Sequence, residues 1–133
     1  MAHKGGCQCG AVRYEVSGEP QHTILCHCEG CRKSAGAPVV AWAAFAEDEL
    51  KVLQGEAKTF NSSGNTMRSF CETCGTGLFY RNEEYLPGIV DIQLVTLDDP
   101  SAYTPQAHIQ TAERIGWMAE AHALPQFERY PPM

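Results

Sequence analysis

Three thiols and an imidazole fall within six residues at Cys26-His27-Cys28-Glu29-Gly30-Cys31. Sulfurs at i, i+2 and i+5 converge on one ion only if the backbone turns between them, and Glu29-Gly30 offers the place to turn. The chemistry depends on what completes the coordination shell. Four thiolates close a zinc site and make it structural, whereas three leave a position for water or substrate. Four more cysteines come in pairs, Cys7/Cys9 and Cys71/Cys74. The second pair, with two intervening residues and a following Gly75, reads as a zinc knuckle.

Seven thiols divide naturally into four and three. Cys7, Cys9, Cys71 and Cys74 can close one site, leaving Cys26, Cys28 and Cys31 as an open one. A rival division joins Cys7/Cys9 to Cys26/Cys28 across a sixteen-residue spacer and leaves Cys31 with Cys71/Cys74. The first is preferred because local sequence already arranges the triad, which the second would split between two ions. Two zinc ions per chain follow from either.

Other side chains are candidates for the rest of a site. His27, lying between two ligands, is a candidate fourth ligand or proton-transfer group, although that position turns its ring away from the ion. His108 and His3 are later-arriving alternatives as ligands, and Glu72 a second candidate base. Arg32, Lys33 and Arg68 are candidates for holding the carboxylates of an anionic substrate.

The elements that must position these groups are mostly strands. Val12, Tyr14 and Val16 alternate with charged neighbours, the period of a half-buried strand, and an early start would put Cys7 and Cys9 on one face. His22–Leu25 reads as a short return strand delivering the triad. A brief helical turn over residues 32–35 would put Cys31 near a helix N-terminus, where the dipole favours thiolate. Val39–Phe45 is a buried strand with Trp42 as plain core, and residues 59–70 read as strand, turn, strand into the knuckle. Two further strands, at 78–80 and 89–94, flank a polar turn at Asn82-Glu83-Glu84. The expected architecture is mostly β, one domain over residues 1–133, with the proline-rich stretch 100–133 as a wrapping tail.

Composition excludes several classes. The chain has 133 residues and a formal charge of −6, with no run of lysine or arginine, so a polyanion such as nucleic acid is a poor partner. No apolar run approaches the ~18 residues of a membrane span, and Met1–Gly6 lacks the apolar core of a signal peptide. A cytoplasmic location is therefore expected. An odd number of clustered cysteines fits reduced metal ligands better than a disulfide framework.

Gly6-Cys7-Gln8-Cys9-Gly10-Ala11-Val12-Arg13-Tyr14, the stretch from Cys26 to Ala37, and Phe70-Cys71-Glu72-Thr73-Cys74-Gly75-Thr76 together resemble the glutathione-dependent formaldehyde-activating enzyme family, also called centromere-protein-V-like. Leu97-Asp98-Asp99-Pro100, His108-Ile109 and Trp117 extend the resemblance over nearly the whole chain. It implies a zinc-bound complex β fold akin to Rab-exchange chaperones and methionine sulfoxide reductase B domains. It also implies Cys7, Cys9, Cys71 and Cys74 as the structural zinc site and Cys26, Cys28 and Cys31 as the second.

The resulting expectation is a zinc-dependent carbon–sulfur lyase, or an S-(hydroxymethyl)glutathione synthase-like enzyme, in which the Cys26/Cys28/Cys31 zinc holds the thiolate of a small-molecule thiol such as glutathione. A non-catalytic zinc-stabilised protein-interaction module is the alternative. A thiol redox or metal-sensing role would instead require the triad to be empty in the isolated protein.

Overall fold

The computed structural model describes residues 2–132 and comprises two β-sheets and one short α-helix. Strands β1 (Ala2–Gly6), β2 (Arg13–Ser17) and β5 (Leu50–Gln54) form a three-stranded antiparallel sheet in the order β1-β2-β5. The larger sheet contains β3 (His22–Cys26), β4 (Val40–Ala46), β6 (Lys58–Ser63), β7 (Thr66–Phe70), β8 (Gly77–Asn82), β9 (Ile89–Gln93) and β10 (Ala107–Ile109). Its order is β10-β3-β4-β9-β8-β7-β6, antiparallel throughout except that β10 runs parallel to β3. The helix α1 (Glu29–Ala35) connects β3 to β4.

Strand alternation sorts side chains onto the two faces of the large sheet. Ala43 and Phe45 of β4 and Val90 and Ile92 of β9 meet Val12, Tyr14 and Val16 in the main core. Val40 and Trp42, one residue out of phase on β4, face the other side with Cys26 and Cys31. One face thus makes the hydrophobic core and the other makes the site. Each fully buried residue of the size of Phe45, Leu78 or Ile92 contributes roughly 1.5–3 kcal/mol.

The strand expected around Tyr14 begins only at Arg13, and its inward residues are those the alternation selects, with Val12, Tyr14 and Val16 all buried. Cys7 and Cys9 therefore do not share a strand face. They occupy the turn between β1 and β2, because Gly10, at φ 81°, reverses the chain there and its N–H bonds Cys7 O at 3.1 Å. The segment expected to return along the first strand does not pair with it. Instead β3 lies in the other sheet, between β4 and β10, since its Thr23 and Cys26 are buried against β4 rather than against β2. The stretch after residue 100 contributes β10 to that sheet, with Gln106 N donating to Thr23 O at 2.8 Å.

The two sheets are joined behind β9. The buried Tyr14 hydroxyl donates to Thr96 Oγ1 at 2.7 Å, and Thr96 in turn donates to Gln93 O. Gly5 pairs with Leu97 there, and a side chain on Gly5 would meet Thr96 O and the Tyr14 hydroxyl at 2.6 Å. Arg13 completes the joint with a fork onto Asp98, one arm at 2.9 Å.

Arg13's hydrogen bonds hold the Asp98 carboxyl below its ordinary value. A depressed folded-state pKa stabilises above the unfolded carboxylate value, about 3.9, and the contribution is lost as pH falls through the folded value. Both groups are partly exposed, so solvent screening limits the pair to under about 1 kcal/mol. Asp98→Asn is expected to lower the melting temperature by a few degrees at pH 7, and paired thermal melts should show the gap closing as pH falls through the depressed folded-state value.

Candidate metal centre and cleft

Two turns of like construction bring four thiols together. In the first, Cys7 N donates to Val12 O at 3.1 Å, and Val12 N donates to Cys7 Sγ at 3.3 Å. In the second, Cys71 N donates to Thr76 O at 2.9 Å and Gly75 N to Cys71 O at 2.7 Å, with Gly75 at φ 85°. Thr76 couples them, its hydroxyl accepting from Gln8 N at 3.1 Å and donating to Cys74 Sγ at 3.2 Å. The sulfurs of Cys7, Cys9, Cys71 and Cys74 all lie within 4.8 Å of one another.

The donor set fits a zinc ion. With Zn–S near 2.3 Å, tetrahedral sulfurs stand about 3.8 Å apart. Cys7 Sγ to Cys9 Sγ is 3.7 Å and Cys9 Sγ to Cys71 Sγ is 3.8 Å. Hydrogen bonds from Thr76 hold the Cys74 thiol down to about 5. All seven cysteines are free, with no disulfide among the described residues.

The second group is Cys26, Cys28 and Cys31, also mutually within 4.8 Å. Cys31 lies with the other two, apart from Cys71 and Cys74. Local sequence sets this up. Cys26 ends β3, Cys28 caps α1 with its sulfur accepting from Cys31 N at 3.3 Å, and Cys31 sits one turn inside the helix. Gly30 is part of that helix and not a reversal. Its missing side chain makes room for Arg68, whose Nη2 lies 3.2 Å from where a Cβ would be.

Arg68 is 7% exposed and spans the group from β7. Its two terminal nitrogens lie 3.8 and 3.7 Å from Cys31 Sγ, its Nε donates to Ser62 Oγ at 3.0 Å, and its plane covers Tyr80 at 5.0 Å. Hydrogen bonding from Cys26, then from Cys28 and Arg68, holds the Cys31 thiol down to about 5. Cys26 is pushed up by sharing its proton with Cys31, and Cys28 by burial. One thiolate among two thiols is the pattern a cation would complete.

These sulfurs line a cleft of about 170 Å³, which none of Cys7, Cys9, Cys71 and Cys74 lines. Trp42, expected as plain core, is a buried wall of this cleft, stacked near Tyr80 at 5.7 Å. Ile24, Leu86 and Ile109 supply the remaining apolar wall. At the rim, Gln110 takes a left-handed conformation, φ 57°, that turns the chain back, and Glu113 Oε1 accepts from Glu29 N at 2.9 Å.

Other expected site residues lie elsewhere. His27 is 1% exposed and faces away from the triad, its Nε2 bonded to His108 Nδ1 at 2.9 Å, and burial lowers its pKa. The ring turns toward β10, which docks there with Ile109 O accepting from His27 N at 3.1 Å. His3 packs edge-on to Tyr103. Arg32 Nε donates to His27 O at 3.0 Å, Lys33 is exposed, and Glu72 pairs with Lys58 at 3.8 Å on the surface. Of the three basic candidates, Arg68 alone lines the cleft.

Sequence reasoning missed Asp91 and His22, which also line it. Asp91 is 5% exposed and its Oδ1 lacks a hydrogen-bond partner among the described residues. The signal was present, as Asp91 is the single charged residue of Ile89-Val90-Asp91-Ile92, inside an otherwise apolar run.

With this geometry in hand, comparison with known proteins is decisive. A family model described as glutathione-dependent formaldehyde-activating enzyme matches residues 2–113. The chain belongs to that family. A putative glutathione-dependent formaldehyde-activating enzyme of Halomonas elongata is 26% identical over 129 residues, covering 89% of this chain and 80% of its own. An uncharacterized lyase of Schizosaccharomyces pombe is 30% identical over 78 residues, covering 59% of this chain, and the match spans 56% of that relative's length. A crystal structure of a Rhodobacter sphaeroides protein shares the fold, with a TM-score of 0.63 at 23% identity, covering 79% of this chain and 98% of the other.

The two thiol groups should differ in what their loss does. Cys71 is 1% exposed in the main core, so Cys71→Ser is expected to cost several kcal/mol and leave the domain largely unfolded at 37 °C. Cys28→Ser, at the partly exposed end of α1, is expected to cost under about 2 kcal/mol. Circular dichroism melts with bound-zinc assay on both variants check this.

Proposed function

We propose that this chain is a zinc-dependent carbon–sulfur lyase acting on the thiol adduct of an aldehyde, of the S-(hydroxymethyl)glutathione type, at Cys26, Cys28 and Cys31. The observation that carries the reading is the contrast between the two thiol groups. Four sulfurs form a set of their own away from the cleft, and three sit on its wall with room beside them. A zinc ion on those three would hold the substrate sulfur as thiolate and make it both a better leaving group and a nucleophile available near neutral pH.

The chain's own residues supply the rest. Arg68, whose terminal nitrogens lie beside Cys31 Sγ, sets positive charge where an adduct's sulfur or carboxylate arrives. Trp42, Tyr80 and Ile24 exclude water from one side, which strengthens those interactions. The zinc at Cys7, Cys9, Cys71 and Cys74 is structural. Residues 1–133 act as one domain of this type, with the stretch from 100 onward closing the cleft at Ile109 and Gln110. Seven unpaired thiols suit a reducing, cytoplasmic setting.

A second reading is a zinc-stabilised protein-interaction module. Trp117, Leu124, Phe127 and Tyr130, all beyond the family match, are largely exposed and favour it. Activity separates the two. With glutathione and formaldehyde at equilibrium, zinc-loaded protein is expected to speed exchange between free and adducted thiol well above the spontaneous rate in exchange NMR. Cys28→Ser, folded, is expected to lose at least 90% of that acceleration. A wild-type protein carrying two zinc ions that leaves the exchange rate unchanged would favour the module.

A further inference from the structure

The registers of five strands place a row of side chains across the face that carries the triad. Arg68 on β7 pairs with Tyr80 on β8, Tyr80 with Asp91 on β9, Asp91 with Ala44 on β4, and Ala44 with His22 on β3. Directly paired residues point to the same face, so all five side chains share it. Ala44 is the smallest of the five, and across it Asp91 and His22 approach each other, His22 Nε2 to Asp91 Oδ1 being 3.7 Å. That separation exceeds a hydrogen bond.

The carboxyl is thus buried, lines the cleft, and keeps an oxygen unpartnered, although buried polar groups in native proteins are almost always paired. It does not belong to the three-sulfur group. The other ionisable groups lining the cleft are His22 and Cys26 from β3, Cys28 and Cys31 at α1, Arg68 from β7 and Tyr80 from β8. Burial pushes its pKa up to about 6, with His22 opposing and the Cys31 thiolate adding to the rise. A buried carboxyl with an unpartnered oxygen on the cleft wall is placed to accept a proton from a hydroxyl held there.

We infer that Asp91 is the proton-transfer residue of this cleft, taking the hydroxyl proton of a thiohemiacetal as its C–S bond breaks and returning it in the synthetic direction. The inference rests on the lyase reading. In cleavage, the adduct's O–H bond breaks and its proton goes to the Asp91 carboxylate. The oxygen's electron pair forms the C=O bond, and the C–S pair leaves with sulfur as thiolate, so the products are aldehyde, thiolate and a neutral Asp91. Addition runs through the same groups in reverse. His22, whose side chain is 41% exposed, connects the buried carboxyl to solvent and exchanges its proton between turnovers, a positioning and relay role.

The test compares wild type, Asp91→Asn, Asp91→Glu and His22→Gln as zinc-loaded proteins in the glutathione–formaldehyde exchange assay, with binding of S-methylglutathione, an unreactive thioether, measured by calorimetry. Asp91→Asn is expected to lower kcat about 100-fold or more, with KM and S-methylglutathione affinity within twofold and zinc content unchanged. Asp91→Glu is expected to restore part of kcat, and His22→Gln to lose about tenfold with a shifted pH profile. An Asp91→Asn variant within threefold of wild-type kcat overturns the inference while the lyase reading stands. So does one that loses thioether binding and zinc in parallel with kcat. A fully zinc-loaded, folded wild type without acceleration overturns both.

Discussion

Sulfur atoms held 3.7 to 3.8 Å apart cannot all ionise unless a cation lies among them, because like charges at that spacing repel strongly in a partly buried site. The rest of the structure depends on this constraint. The four-sulfur group joins the turn between β1 and β2 to the turn between β7 and β8, so it crosses from the small sheet to the large one. Without a cation, the sheets would still pack through the main core and the joint at Tyr14, Gly5 and Arg13, but the two cysteine turns would lose their common tie. Between those turns only the Thr76 bridge would remain, each of its hydrogen bonds contributing about 1 kcal/mol net.

The same constraint works differently on the other face. Three sulfurs with a guanidinium beside them form a charge set that is unfinished by protein groups alone. Arg68 supplies part of the missing positive charge, and the helix reserves a glycine at position 30 to let it in. A buried arginine, a buried aspartate and an aromatic wall around three thiols cost stability that a purely structural site would avoid, and such groups concentrate where chemistry is done. The main core and the cleft are thus divided between the two faces of one sheet, with β4 contributing alternate residues to each.

The two groups of sulfurs were legible in the sequence because closely spaced cysteines meet through local turns. Spacing alone carries Cys7/Cys9, Cys26/Cys28/Cys31 and Cys71/Cys74, and alternation alone carries Val12, Tyr14 and Val16. What escaped the sequence is set by pairing between distant segments. The row from Arg68 to His22 exists only through four strand registers, so neither Asp91 nor His22 announces itself beside a cysteine. Adjacency already turned the His27 ring away from the ion, but its partner His108, on β10 some 80 residues later, could not be read from spacing. Gly30 looked like a turn because glycine usually marks one, whereas here it lies in a helix with Arg68 from β7 packed close against it.

The most direct test of the account is zinc stoichiometry combined with X-ray absorption at the zinc edge, on protein purified without chelator. The expected result is two zinc ions per chain sharing seven sulfur ligands, with one shell completed by an oxygen or nitrogen atom that an added thiol replaces with sulfur. One zinc per chain, or a set of shells that an added thiol leaves unchanged, would contradict an open three-thiol centre.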